Sequence, residues 1–155
     1  MRSVYRGLAL AVAALVVLQA AFIAYGVFGL TAWVADGGTL DASAFGPDSD
    51  VEVGGGVGFM LHGISGTILV PLASLLLVIV SFFAKVPGGV KWALIVFGVT
   101  VLQYALAFIG RSAGLPSIGA LHGLNALILF GVAVTAAMRV RAATRAADPA
   151  PAAAA

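Results

Sequence analysis

"VGFMLHGISGTILVPLASLLLVIVSFFA", Val57–Ala84, contains no Asp, Glu, Lys or Arg. It is longer than the roughly 20 helical residues needed to cross a hydrocarbon core of about 30 Å. Lipid offers no water to satisfy peptide groups, so such a segment must be helical. Its one ionisable side chain is His62, within Leu61–His62–Gly63. The same tripeptide returns at Leu121–Gly123 with His122, and the chain has no other histidine.

The rest of the sequence matches this segment in character. Of 155 residues, 62% are hydrophobic and 9% charged, and the mean hydropathy is +1.14. Soluble domains carry about one quarter charged residues. The chain reads as a single-domain, all-α integral membrane protein. Cysteine is absent, which excludes disulfides, thiolate ligands and cysteine nucleophiles. The lipid bilayer is the expected environment, and nucleic acid is not an expected partner. The abundance of Ala, Val and Gly associates with a bacterial source.

Four apolar runs are long enough to span: about 7–34, 57–84, 90–110 and 117–140. Arg2 and Arg6 before the first run resemble the start of a signal peptide. A signal h-region is only about 7–15 residues, so this run reads as a span. The spans predict a four-helix, up-down bundle. Arg2, Arg6, Lys85, Lys91, Arg139, Arg141 and Arg145 fall on one side of it. Basic residues accumulate in the cytoplasm, so both termini are expected there, in a bacterial plasma membrane. The outer loop, 35–56, carries Asp36, Asp41, Asp48, Asp50 and Glu52. It reads as a solvated acidic loop or a docking surface. Residues 141–155, rich in Ala and Pro, are expected to be a disordered tail. Pro71 is expected to bend the second span.

The chain also repeats itself. "VLQAAFIAYG", Val17–Gly26, lies in the first span and "VLQYALAFIG", Val101–Gly110, in the third. Each is followed by an outer connection and then by Leu-His-Gly on the next span. This pattern predicts two repeated helical hairpins related by an axis along the membrane normal.

The duplicated residues are the candidate site. His62 and His122 each lie about 8 Å below the outer end of their span, so they are level. In a bundle with 8–10 Å between neighbours, the second and fourth spans are roughly 11–14 Å apart across the diagonal. That gap suits a flat iron macrocycle with one imidazole on each face. Zinc fits poorly, since a structural zinc takes four ligands and no span holds an acid or a cysteine. Gly66 shares a face with His62, and Ala126 with His122. Gly26 and Gly110 share faces with Gln19 and Gln103. These small residues would make room for the ring or simply allow close helix packing. Gln19 and Gln103, together with Ser65 and Asn125 three residues after each histidine, are candidates to bond a ligand imidazole or the ring edge. They suit helix–helix hydrogen bonding equally well. Arg111, the one outward basic residue, is placed in the short third connection, where it suits a haem propionate or an ordinary interfacial arginine equally well.

This arrangement resembles one four-helix half of the haem A synthase family. That family carries one histidine on the second helix and one on the fourth of each bundle. His62 and His122 occupy those places, and the Gln- and Gly-bearing first and third helices are also similar. The resemblance covers about 17–140 and implies a haem b bundle. The family's second bundle is missing, as are the cysteine pair of its first outer loop and the glutamate one turn before its second-helix histidine. Here Gly58 and Phe59 lie near that position. The resemblance therefore does not extend to the synthase's oxidising chemistry. The chain is also similar to small four-span bacterial membrane proteins, a family that brings no activity with it.

The first functional reading is a b-type haem protein with bis-histidine ligation, in electron transfer or haem handling. A redox partner, a quinone or a second copy would serve it at the outer face. The other reading is a cofactor-free membrane subunit or assembly protein, with the histidines as packing residues. An enzyme is the less favoured expectation, since no nucleophile–base pair is present.

Overall fold

The computed structural model describes residues 1–40 and 52–147. The acidic side chains at Asp41, Asp48 and Asp50, and the tail from 148 onward, lie outside the described residues. Among the described residues there are five α-helices: α1 (Arg2–Ala35), α2 (Gly56–Ile64), α3 (Val70–Ala84), α4 (Gly89–Ala113) and α5 (Pro116–Ala147). A single π-helical segment, Ser65–Leu69, joins α2 to α3 into one continuous span. The four spans have mean hydropathies of 2.4, 2.5, 2.1 and 1.8 over their most apolar windows, and each is long and apolar enough to cross a membrane.

Helix ends follow local chemistry. The link between α4 and α5 is only Gly114 and Leu115. Gly114 closes α4 with φ +62°, a left-handed turn that glycine makes without a Cβ clash. Pro116 then opens α5, where its missing N–H costs no helical bond. This short link corrects the expected position of Arg111, which lies in the last turn of α4 and not in a loop. The fourth span covers Pro116–Val140, and its helix runs on to Ala147.

The spans pack in a ring. The first and third each contact the second and fourth, so the second and fourth face each other across a diagonal. Contacts at the two ends show that successive spans alternate in direction. At one end the Arg2 guanidinium donates to Lys85 O (3.3 Å) and the Tyr5 hydroxyl to Gly89 O (2.9 Å). There too, Arg139 lies 5.2 Å from the centre of the Trp92 ring. At the other end Gly29 meets Gly55, and Gly110 meets Ile118.

The buried apolar core occupies only one half of the bundle. It comprises Tyr5–Val16 of α1, Val70–Ala84 of α3 with Val86, Ala93 and Val96 of α4, and Leu129–Val140 of α5. Alanines at 9, 13, 93, 133, 136 and 137 let these helices approach closely, as small residues do between membrane helices. The opposite half contains the histidines, with Gln19, Ser65, Gln103 and Asn125 beside them.

Candidate functional site: a paired-histidine layer

The two histidines sit at matched depths, each six positions after the first residue of its span, Gly56 or Pro116. Their rings meet edge-on across the diagonal with centroids 6.3 Å apart and planes at 62°. Both are half-buried. Around them, His62–Gly66 and His122–Ala126 show the same order of exposed and buried positions, with Ser65 and Asn125 as the buried members.

Each ring is oriented by the helix that precedes it in the ring of spans. His62 Nδ1 lies 3.0 Å from Gln19 O, and His122 Nδ1 lies 3.1 Å from Gln103 O. A carbonyl only accepts, so both Nδ1 atoms carry a proton, which in the neutral ring leaves the lone pair on Nε2. That is the tautomer in which a metal would be taken at Nε2, with the Nδ1–H bond as orienting contact. The glutamine identified from sequence is thus at the site in both halves, but its main chain makes the common contact.

The glutamine side chains differ. Gln19 Nε2 donates to Ser65 Oγ, whose own proton goes to Leu61 O. Gln103 Oε1 instead accepts from Asn125 Nδ2 at 2.7 Å, and Asn125 also donates to Val99 O at 3.1 Å. The Gln103 amide nitrogen is then left 3.1 Å from His122 Nε2 and donates to that lone pair. His62 Nε2 makes no hydrogen bond to a described residue. Since no buried side-chain nitrogen or oxygen among the described residues is unpartnered, this Nε2 is accessible from the surroundings.

The glycines have unequal roles. A Cβ on Gly66 would meet Gln19 Oε1 at 3.0 Å, so Gly66 makes room for the amide beside His62. Gly26 is different. A Cβ there would meet the Phe59 ring at 3.0 Å, and one on Gly58 would meet Gly26 N at 2.5 Å. Phe59 lies against Gly26, and this glycine permits close contact of α1 with α2, the packing alternative that the sequence left open. Gly110 likewise accommodates Ile118 of α5, whose Cγ2 lies 3.1 Å from the Cβ position. Arg111 is exposed and makes no hydrogen bond or ion pair to a described residue.

Among the described residues there is no group of three or more His, Cys, Asp or Glu that could hold a metal. The available donors are the two Nε2 atoms. Sequence reasoning missed the role of Val99, which enters through its carbonyl, and the π-helical segment beginning at Ser65, three residues after His62. A proline at 71 following a buried serine was the only signal of that irregularity. No family model, curated protein or solved structure matches this chain.

Proposed function

We propose that the chain is a multi-pass membrane haem protein, bacterial and with both termini cytoplasmic, in which His62 and His122 are the two axial ligands of one haem b. The observation that carries this reading is the 6.3 Å separation of the two ring centres. His62 and His122, brought side by side across the bundle interior, are the two residues that would hold such a group. In the neutral rings, the Nδ1 bonds to Gln19 O and Gln103 O put the lone pairs on Nε2. The equivalent Gln-to-His contacts support descent from one duplicated hairpin.

The donors fit iron in a porphyrin, which needs only two protein ligands. Bound haem supplies one-electron chemistry at iron. The chain's part is to hold two imidazoles in one tautomer, level with each other, and to satisfy their outer nitrogens. Occupying both axial positions favours electron transfer or haem handling over substrate activation, with a partner at the outer face. Arg111, at the outer end of α4, is the cation available to a propionate.

A visible spectrum of the purified protein tests the proposal. Protein from haem-replete cells should show a sharp reduced α-band, lost in His62→Ala and in His122→Ala. A colourless, stable wild type would favour the cofactor-free reading. That second reading draws on the Gln103–His122–Asn125 network, in which His122 is hydrogen-bonded at both nitrogens without any ligand.

A further inference from the structure

We propose that the end of the bundle carrying Arg2, Lys85, Lys91 and Arg139 is a docking surface for the phosphate headgroup of an anionic phospholipid. The proposal is independent of the haem reading.

Packing brings these cations together. The Arg2 guanidinium donates to Lys85 O at 3.3 Å, so the start of α1 lies on the link between α3 and α4. One turn further, Tyr5 is buried with its hydroxyl on Gly89 O. Three residues after Gly89, the Trp92 ring carries Arg139 at 5.2 Å from its centre, which adds α5 to the same surface. Arg2, Lys85, Lys91 and Arg139 are all exposed. The link that presents Lys85 is fixed in place: Val86 is buried, and its carbonyl accepts from Gly89 N at 2.8 Å.

No described side chain neutralises this charge. Residues 1–35 and 53–147 contain no Asp or Glu. The described acids, Asp36 and Glu52, flank the outer ends of α1 and α2, and Asp148 lies outside the described residues. Arg2 and Lys91 fall in the first turns of α1 and α4, which hold no acid. A cation there opposes the helix dipole. Lys85 closes α3 at φ +50° and is the one non-glycine with positive φ among the described residues. Glycine fills such a position at lower backbone cost. These choices oppose stability in the chain alone, and a phosphate anion among the cations offsets them.

The anion's source follows from what lies next to the cations. Val4, Phe82, Phe83, Leu94 and Met138 are exposed apolar residues within three positions of Arg2, Lys85, Lys91 or Arg139. A free phosphate or an acidic protein segment would use the cations alone. A phospholipid uses both, with its headgroup on the basic rim and its acyl chains along the apolar belt.

Quenching by brominated lipids tests this. Full-length protein with Trp33→Phe keeps Trp92 as its sole tryptophan and is reconstituted in phosphatidylcholine vesicles. Dibrominated phosphatidylglycerol or dibrominated phosphatidylcholine is added in increasing mole fraction, and Trp92 fluorescence is read. Phosphatidylglycerol should be preferred at least about fivefold, and high salt should shrink the preference. Arg2→Gln and Lys85→Gly should each lower it about fivefold, the effect of one basic residue near an anionic lipid surface. Lys85→Gly also relieves the left-handed backbone, so its thermal unfolding in detergent should come no earlier than that of its parent. Lys85→Arg should keep the preference. Equal quenching by the two lipids in the Trp33→Phe protein overturns the proposal and leaves an acidic protein segment as the partner of this surface. A preference that survives both Arg2→Gln and Lys85→Gly overturns it as well.

Discussion

At the scale of single residues, glycines that look alike in the sequence do different work. The Gly63 and Gly123 of the two Leu-His-Gly motifs have nothing within 4 Å of an added Cβ, so their recurrence does not mark a contact. Gly58 does mark one. Its Cβ would come 2.5 Å from Gly26 N and 2.6 Å from Phe22 O, both backbone atoms of a helix that cannot yield locally. Gly58→Ala should cost on the order of 1–3 kcal/mol, read as earlier thermal unfolding in detergent, while Gly123→Ala should stay within about 0.5 kcal/mol. Equal losses in the two variants would contradict this account of the α1–α2 contact. Tyr5 is fully buried and its hydroxyl donates to Gly89 O. Tyr5→Phe should cost about 1 kcal/mol, with the same measurement. His62 and His122 could be picked out from sequence because ionisable residues are rare in apolar spans. The main-chain oxygens that orient them could not, because a carbonyl's second lone pair has no sequence signature.

At the scale of elements, the second span is the irregular one. A π segment is one residue more than an α-helix needs over the same turns. Here it covers Ser65–Leu69 and ends just before Val70 and Pro71. Proline has no N–H to donate, and its ring would collide with the carbonyl four residues back in a regular helix. The wider turn sits where that collision would fall. A bend at Pro71 was expected from sequence, and the irregularity lies one turn earlier. Its effect is rotational. His62 and Ser65 face the interior on one side of the segment, while Val70, Ser74, Leu77 and Ser81 are buried on the other. Deleting Thr67 should restore α periodicity and turn one of these sets by about 100°. The expected result is poor recovery of folded protein on size exclusion, or folded protein whose histidine layer is lost. A fully folded deletion with an unaltered spectrum would show that the segment has no role in alignment.

At the scale of the whole molecule, the buried apolar core lies in one half of the bundle and the histidine layer in the other. Apolar side chains and alanines fill the half that holds Tyr5, Leu77, Ala93 and Leu129. Imidazole, amide and hydroxyl groups meet in the other half. The link at 85–88 lies at the packed end, with the start of α1 and Arg139 of α5, and Leu115 lies at the opposite end. The absence of native cysteine makes a direct test of orientation simple. In intact cells, Leu115→Cys should react with a membrane-impermeant thiol reagent and Pro87→Cys should not. The reverse pattern would invert the proposed topology and place the histidine layer nearer the cytoplasm.

The number of spans, their approximate limits and the two histidines with their glutamine partners were legible in the sequence alone. Length, hydropathy and rarity of ionisable groups are local properties, and lipid leaves a helix no alternative conformation. The side-by-side placement of the rings, the identity of the orienting atoms, the use of Gly26 for contact and the difference between Ser65 and Asn125 were decided by tertiary structure. Each depends on which lone pair or which face a neighbouring helix presents, and that is set only when all four spans have packed.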